Sequence, residues 1–565
     1  LSSYTVTRKG QGQETAKEDG IEIQNLAPLF RKKIAEPYWV RYEYSEELQN
    51  KPIHLTKYSG QEFDFVMSGR LKVQIGENVE YLSEGDSIYY NSSTPHGMIA
   101  VDGRDCLFVA VVLPGEDVKE NVIRDTIVSA HSGNKEYVSS KFVECTEAEN
   151  GALQKIEFKN EDKFNFAFDI VDEIAKKAPE KLAMLHIDKH KVERRFTFND
   201  MKRASNQCAN YFKSLGIKKG DRVMLVLKRH YQFWYAILAL HKLGAVAIPA
   251  TNLLQEHDFD YRFNAAEVSA IVCTADGDVA HQVDLAAPAS PTLKTKILVG
   301  GEREGWHNFD EEFPLFSAHF YRTEDTACGD DLMLMFFTSG TTGYPKIAAH
   351  NYKYALGHYV TAKYWHGVDE NGLHFTISET GWGKALWGKL YGQWLCEGAV
   401  FTYDFDRFDA ADILPMFAKY HITTFCAPPT MLRMMIKQDI SQYDLSSIKH
   451  MTTAGEALNP EVYRQFEKAT GLQIMEGFGQ TELTLMIANL MGNSHKLGSM
   501  GKPTPAYDVD ILDPDGNPVP DGETGEIVVK TSDKVPCGLF AGYYKNQEKT
   551  DEVWHDGYYH TGDTA

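Results

Sequence analysis

The sequence lacks an apolar segment of the length that a lipid bilayer requires. Its longest apolar stretch, Phe233–Leu240, is followed by His241 and Lys242, whereas a membrane-spanning helix needs roughly 20 apolar residues. The sequence also lacks a CxxC pair, because its 8 cysteines are scattered along the chain. This spacing disfavours a zinc cage or a disulfide framework and favours reduced thiols. We therefore expect a cytoplasmic protein without a membrane span.

Positive charge is also scarce in this sequence. Asp and Glu outnumber Lys and Arg by 79 to 58, and the formal net charge is -21. This excess would repel a phosphate backbone, so we expect no nucleic-acid partner, although a local basic loop could still bind a small anion. A length of 565 residues with 43% hydrophobic and 24% charged residues is typical of a globular enzyme with several domains.

The hydrophobic pattern divides the chain into four regions. Residues 1–45 are polar at their start and are predicted to form an N-terminal extension. Residues 46–115 contain short strands rich in Val, Ile, Tyr and Phe, which predict a small all-β barrel or sandwich. Residues 116–162 are charged and are predicted to form a linker. In residues 163–565 helical periods alternate with buried strands, which predicts an α/β domain with a largely parallel sheet.

The most informative segment of the α/β region is a loop rich in glycine and threonine that follows an apolar strand. Glycines let backbone N–H groups turn toward a polyphosphate, hydroxyl groups add donors, and Lys346 adds a positive charge. Pro345 precedes this lysine and no GK[ST] occurs, so the loop is not a Walker A motif. The alternative is a Ser/Thr-rich surface turn. The loop residues are Thr338, Ser339, Gly340, Thr341, Thr342 and Gly343.

This loop resembles the phosphate loop of the superfamily of AMP-forming acyl-CoA synthetases, luciferases and adenylation domains. Three further segments resemble motifs of that superfamily and follow in the same order: AGEAL (454–458), EGFGQTE (476–482) and YHTGD (559–563). The chain is therefore identified as a member of this superfamily, which implies its α/β large lobe. The superfamily also has a smaller C-terminal lobe, and we expect that lobe to be absent because the sequence stops at Ala565.

The resemblance implies ATP and Mg²⁺ as cofactors and coenzyme A as a co-substrate. The implied catalytic residues are Lys346 for the departing phosphates, Thr481 for the α-phosphate and Glu482 for Mg²⁺. Asp563 would accept from the ribose hydroxyls. Without the resemblance, Glu482 would be an ordinary solvated acid and Thr481 a helix cap. The other residues expected at the nucleotide are Gly455, Glu456, Ala457, Glu476, Gly477, Phe478, Gly479 and Gln480.

The α/β region resembles most closely the medium-chain acyl-CoA synthetase branch, for example in ETGWGKALWG (379–388). In the acetate-activating branch a tryptophan blocks the floor of the acyl pocket. Gly479 stands at the corresponding place here and is expected to leave room for a longer tail. Trp382 is expected to form a wall of the acyl pocket, with Ala427 and Gly455 nearby. The expected substrate is a small medium-chain, branched or aryl carboxylic acid.

The N-terminal β-region resembles the cupin family through GQEFDFVMSGRLKVQIG (60–76) and GDSIYYNSSTPHG (85–97). The metal set of that family is three histidines and a glutamate, and only Glu62 and His96 match it. Two ligands rarely hold a transition metal against water, so a metal-free barrel is expected. The barrel could bind a small ligand, sense a product or pair subunits into a homo-oligomer.

Three functions are consistent with these residues. The leading hypothesis is an ATP-dependent acid–CoA ligase that forms acyl-AMP and pyrophosphate and then acyl-CoA. The second is a sensor in which the cupin-like part responds to a bound nucleotide or acyl-adenylate, but the intact Lys346 and Glu482 favour chemistry. The third is an adenylation domain that loads a carrier protein, and no carrier segment with its modified serine occurs in this sequence.

Overall fold

The structure is a computed structural model that describes residues 5–9, 11–18, 20–28, 30, 33–114, 136–338, 343–496 and 498–565. The chain divides into two compact units, Leu1–Lys135 and Glu136–Ala565. In the described residues the first unit is built of strands with one short helix, and the second alternates strands and helices. This confirms the predicted succession of an all-β region and an α/β region.

The N-terminal unit consists of two antiparallel sheets around a small core. Its elements are β1 (Gln13–Glu18), β2 (Ile21–Asn25), β3 (Glu36–Tyr42), α1 (Glu46–Gln49), β4 (Gly60–Ser68), β5 (Arg70–Ile75), β6 (Asn78–Ser83), β7 (Ser87–Asn91), β8 (His96–Ala100) and β9 (Cys106–Pro114). One sheet has the order β1-β2-β3-β9-β4-β7 and the other has the order β6-β5-β8. The core between them includes Val66, Leu71 and Phe108, because these strands turn alternate apolar side chains inward.

The region predicted to be an N-terminal extension belongs to this sheet instead. Strand β3 pairs with β9 from Glu36, opposite Val112, to Tyr42, opposite Cys106. Strands β2 and β1 continue the sheet beyond β3. The polar start of the chain concealed these strands, because a hairpin at the edge of a sheet needs few apolar residues.

The C-terminal unit contains a hairpin and three larger sheets. Its strands are β10 (Val143–Glu147), β11 (Leu153–Phe158), β12 (Leu182–Ile187), β13 (Glu193–Thr197), β14 (Arg222–Val226), β15 (Val246–Pro249), β16 (Val268–Thr274), β17 (Thr295–Val299), β18 (His307–Asn308), β19 (Leu332–Thr338), β20 (Lys346–Asn351), β21 (Leu373–Thr376), β22 (Ala399–Tyr403), β23 (Thr424–Cys426), β24 (His450–Ala454), β25 (Ile474–Gln480), β26 (Leu483–Ala488), β27 (Lys502–Pro503), β28 (Val509–Leu512), β29 (Glu526–Lys530), β30 (Gly542–Tyr543), β31 (Trp554–His555) and β32 (Tyr558–Thr564). The hairpin β10–β11 falls in the predicted linker, so residues 143–158 are ordered structure there.

Two of these sheets are largely parallel, as predicted. The larger has the order β13-β12-β22-β21-β23-β24-β25-β26-β27, and its strands from β12 to β25 run parallel. The second has the order β18-β17-β16-β14-β15-β19-β20-β30, with β20 and β30 antiparallel at one edge. The third sheet, β28-β29-β32-β31, is antiparallel.

Helices connect the parallel strands, as their crossover connections require. They are α2 (Glu173–Lys177), α3 (Phe198–Ser214), α4 (Gln232–Leu243), α5 (Glu256–Ala265), α6 (Val279–Ala286), α7 (Phe309–Glu312), α8 (Tyr354–Val360), α9 (Gly383–Gly388), α10 (Tyr391–Leu395), α11 (Ala410–Tyr420), α12 (Pro429–Met435), α13 (Pro460–Thr470) and α14 (Gln547–Val553). Within the described part of the chain, no helix has both the length and the apolar character to cross a membrane.

Candidate active site

Strand pairing brings three of the predicted motifs together. Strands β24 and β25 are parallel neighbours, with Ala454 opposite Gly477. The residues at their carboxyl ends therefore lie at the same edge of the sheet, where α/β proteins commonly bind ligands. Gln480, at the end of β25, donates hydrogen bonds to the carbonyl of Thr561, at 2.8 Å, and to the carboxylate of Asp563. Segments that are far apart in the sequence thus meet at one site.

A cavity of about 660 Å³ lies among these segments. The predicted residues in its wall are Trp382, Gly455, Glu456, Ala457, Glu476, Gly477, Phe478, Gly479, Gln480, Thr481 and Asp563. The residues that sequence reasoning did not single out are Tyr354, Gly383, Trp387, Thr453, Ala454, Gly498 and Met500. Trp387 lies in the segment 379–388 that resembles the medium-chain branch, but its position in the sequence does not distinguish a tryptophan that lines a pocket from one that packs in the core.

The predicted phosphate loop is described only at its two ends. Thr338 and Lys346 lie opposite each other in the antiparallel pair β19–β20. Gly343 has a φ of +90°, a left-handed conformation that glycine adopts without a steric cost. The remaining predicted loop residues, Ser339, Gly340, Thr341 and Thr342, lie outside the described residues.

Ala427, which was expected in the acyl pocket, lies in the hydrophobic core. Only 1% of its surface is exposed, and it packs in a cluster with residues such as Phe425 and Leu432. Its carbonyl accepts a hydrogen bond from the Thr453 hydroxyl at 2.7 Å. Ala427 therefore supports the strand below the site and is not part of the cavity wall.

Glu482 and Lys346 both contact Tyr543, a residue that sequence analysis did not identify. The Tyr543 hydroxyl donates a hydrogen bond to Glu482 Oε1 at 2.9 Å, and Lys346 Nζ lies 4.6 Å from the centroid of the Tyr543 ring. Burial raises the pKa of Glu482, and the Tyr543 hydrogen bond and the Lys346 charge oppose that shift. One aromatic side chain thus touches the proposed magnesium ligand and the proposed phosphate cation.

Thr481 is held through its backbone by a buried histidine. His350, in the tautomer with a proton on Nε2, donates to the Thr481 carbonyl at 2.7 Å. Burial lowers the pKa of His350 to about 4, so this ring is neutral at pH 7 and cannot itself supply charge to a phosphate. The bond fixes the main chain of Thr481 at the cavity wall.

The space beside Gly479 is occupied, which differs from the expectation. A Cβ atom added to Gly479 would lie 2.1 Å from Cη2 of Trp387 and 2.9 Å from the carbonyl oxygen of Thr484. Trp387 is 8% exposed and lines the cavity. The missing side chain of Gly479 therefore makes room for an indole rather than leaving the pocket open. Trp382 also lines the cavity and is 53% exposed.

In the N-terminal unit, Glu62 and His96 are both buried. The Tyr58 hydroxyl donates to Glu62, and Thr56 forms a two-hydrogen-bond bridge with His96. The described residues include no group of three or more His, Cys, Asp or Glu side chains that could hold a metal ion. The donor set therefore does not fit the family's metal, which takes three histidines and a glutamate.

The N-terminal unit also buries a second carboxyl group beside Glu62. Asp64 is fully buried, and within the described part of the chain neither of its carboxylate oxygens has a partner at hydrogen-bond geometry. Burial and the neighbouring Glu62 charge raise the pKa of Asp64 to about 9. Burial therefore favours a protonated carboxyl group in the Glu62–Asp64 pair.

Sequence comparison identifies a family for each unit. Residues 171–544 match the AMP-binding enzyme family, and residues 47–112 match the cupin domain family. The human protein named acyl-coenzyme A synthetase ACSM3, mitochondrial, is 36% identical over 412 residues, which cover 71% of this chain and 69% of that protein. The mouse protein of the same name is 37% identical over 424 residues, which cover 73% and 72% of the two chains.

Solved structures share the fold of the C-terminal unit. The anthranilate CoA ligase AuaEII, solved in complex with anthranoyl-AMP, has a TM-score of 0.66 and 24% identity and covers 71% of this chain and 76% of its own. The acyl-CoA synthetase of Brucella canis has a TM-score of 0.65 and 25% identity and covers 72% and 73%. The family match, the relatives and the motif geometry agree. This chain belongs to the AMP-binding enzyme family and carries a cupin domain before its AMP-binding region.

Proposed function

We propose that this protein is an ATP-dependent carboxylic acid–CoA ligase that forms acyl-AMP and pyrophosphate and then acyl-CoA. The observation that carries the proposal is the meeting of Gly455–Ala457, Glu476–Thr481 and Asp563 around one cavity. Family membership and relatives named acyl-coenzyme A synthetases support the same reaction.

The chain's own residues would bind and orient the nucleotide. Asp563 would accept from the ribose hydroxyls, and its hydrogen bond from Gln480 keeps its carboxylate at the cavity. Lys346 pairs with no carboxylate among the described residues, so its charge is available to the departing phosphates. Thr481, fixed by His350, would donate its hydroxyl to the α-phosphate. Both reactants are anions, so neutralisation and positioning are the main catalytic tasks.

We also propose that Glu482 holds Mg²⁺. A carboxylate is a suitable ligand for this hard cation, and Tyr543 is the only described side chain that donates a hydrogen bond to it. When bound, Mg²⁺ would neutralise phosphate oxygens. Glu482 must be ionised for this role, and the hydrogen bond from Tyr543 favours the ionised form.

The proposed acid is medium-chain, branched or aryl rather than acetate. Trp382 and Trp387 contribute apolar surface to the cavity, and an apolar wall favours an apolar tail. Such a pocket separates chain lengths weakly, since one methylene group is worth about 1–3 kcal/mol. We therefore expect activity on a range of related acids.

A panel assay tests the reaction and the acid class together. Pyrophosphate release would be measured with C2 to C10 straight-chain acids, branched acids and aryl acids, each with and without CoA. The matched control is Lys346→Met, which keeps the length of the side chain but removes its charge. Acid-dependent release that this substitution abolishes supports the ligase. ATP binding without release with any acid would refute it and favour the sensor, and acyl-AMP that never passes to CoA would favour carrier loading.

For the N-terminal unit we propose self-association through the outer face of its six-stranded sheet. Antiparallel sheets usually turn polar residues to solvent, whereas apolar residues here lie side by side across four strands. Phe65, Met67 and Tyr89 are 41%, 48% and 57% exposed. An exposed apolar sheet face of this kind suits a two-fold interface between identical sheets. The cross-strand rows are Pro37–Val111–Phe63–Tyr89 and Trp39–Val109–Phe65.

Sedimentation analysis tests this association. The wild type is expected to sediment as a dimer or larger oligomer, and Phe65→Glu is expected to shift it to a monomer, because the added charge would be buried in the interface. A wild type that is monomeric at micromolar concentration would refute the proposal.

A cytoplasmic location also remains a proposal, and the human and mouse relatives are named as mitochondrial.

A further inference from the structure

Tyr543 lies in a segment that contacts two parts of the proposed nucleotide site, the strand that begins at Lys346 and the motif that ends at Glu482. Its strand β30 pairs with β20, which begins at Lys346, so that Tyr543 lies opposite Ala348. Just before β30, the N–H of Phe540 donates to the carbonyl of Glu482 at 2.8 Å. The segment therefore ties the strand after the phosphate loop to the motif that carries the acid.

The Tyr543 side chain also connects the two segments, because it contacts the charged groups of both Glu482 and Lys346. It is 6% exposed, and among the described residues its hydroxyl has one hydrogen-bond partner, Glu482 Oε1, at 2.9 Å. Lys346 Nζ lies 4.6 Å from the centroid of the ring, which is within the range of a cation–π contact. The backbone N–H of Tyr543 is itself held by the Thr550 hydroxyl at 2.9 Å. A fixed ring thus contacts an acid through its hydroxyl and a cation through its face.

We propose that Tyr543 is a positioning residue that sets Glu482 and Lys346 for Mg²⁺ and ATP. The hydroxyl orients the Glu482 carboxylate through its hydrogen bond, while the ring face holds the Lys346 ammonium. Because the two functions use different parts of the side chain, they can be separated by substitution. The inference rests on the proposed function, since it requires that the site bind ATP with Mg²⁺.

Calorimetric binding of ATP, first in EDTA and then across a Mg²⁺ titration, tests this division. Tyr543→Phe removes only the hydroxyl, so ATP affinity in EDTA should stay within twofold of the wild type. The Mg²⁺ concentration for half-maximal enhancement should rise about 10-fold, because a hydrogen bond to a charged group is lost. Tyr543→Leu also removes the ring, so its ATP affinity should fall in EDTA as well.

Two controls separate positioning from a general structural effect. Tyr507→Phe removes another buried hydroxyl, which lies 2.7 Å from the Thr484 hydroxyl and does not contact Glu482 or Lys346, so it should leave the Mg²⁺ titration unchanged. In a Glu482→Gln background, Tyr543→Phe should add less than twofold to the Mg²⁺ effect, since its partner acid is already gone. Melting temperatures would confirm that each variant is folded.

The outcomes are distinguishable. A wild type that binds no ATP in either condition overturns the proposed function. A wild type that binds ATP, with a Tyr543→Phe variant that titrates with Mg²⁺ as the wild type does, overturns only the role of Tyr543. An equal Mg²⁺ shift in Tyr507→Phe, or a full additional shift in the Glu482→Gln background, also overturns it.

Discussion

Replacing Trp387 with alanine is expected to shift the enzyme toward longer acids. The indole lies against Gly479, with Cη2 2.1 Å from the position that a Cβ atom would take there. It also forms part of the cavity wall and is almost fully buried. The substitution removes the whole indole ring, which opens room for roughly three methylene groups or more if the site does not collapse.

The size of the shift follows from the apolar surface that the longer acid would bury. Removal from water alone contributes about 0.8 kcal/mol for each methylene group, which is just below the range of about 1–3 kcal/mol that a shaped pocket reaches. Three methylene groups contribute about 2.4 kcal/mol, which corresponds to roughly a 60-fold change in relative kcat/KM. The ratio of kcat/KM for an acid three carbons longer than the best wild-type substrate should therefore rise by about this factor in Trp387→Ala.

The assay is steady-state pyrophosphate release over a series of straight-chain acids, with melting temperature as a check on folding. Gly479→Ala provides the matched control, because its Cβ would clash with the indole and should lower activity with every acid. The double variant should recover part of that loss, since the clashing ring is gone. If folded Trp387→Ala keeps the wild-type chain-length profile, or if Gly479→Ala is fully active, Trp387 does not limit the pocket.

Three further results are expected. Lys346→Met should slow pyrophosphate exchange by about 10²–10³-fold while the protein stays folded, and exchange within threefold of wild type would contradict the phosphate role. Burial lowers the pKa of His366 to about 3 in the folded protein, whereas its pKa in the unfolded chain is about 6.5. The unfolded chain therefore binds a proton at His366 that the folded protein does not, and the free energy of unfolding falls as the pH drops from about 6.5 toward 3. Urea unfolding of His366→Gln should therefore show about 1.4 kcal/mol less loss between pH 7.5 and 5.5 than wild type, whereas equal losses would contradict this. Metal analysis of protein purified without chelators should find far less than one equivalent of iron, manganese or zinc, because only Glu62 and His96 match the cupin ligands, and a stoichiometric metal would overturn the metal-free state.

The family and the main motifs could be identified from the sequence because they are local. The glycines, the hydroxyl residues and Lys346 of the phosphate loop lie close together in the sequence. The motifs around Gly455 and Thr481 are likewise short continuous segments. The alternation of helix and strand periods likewise predicted the α/β unit, since each element buries one face of its own chain. The β-rich pattern of the N-terminal region predicted its all-β unit for the same reason.

The residues that complete the site could be identified only once the fold was known. Tyr543 reaches Glu482 because β30 pairs with β20. Pairing between such distant segments does not change the hydrophobic pattern of either segment, so the sequence does not reveal it. Trp387 fills the place beside Gly479 because packing, not spacing, determines which side chain occupies a vacant volume. The three N-terminal strands join the six-stranded sheet for a similar reason, since β9 pairs with β3 across more than 60 residues of sequence, and β2 and β1 then pair in turn beyond β3. Local chemistry could therefore be predicted from the chain, whereas contacts between remote segments required the fold.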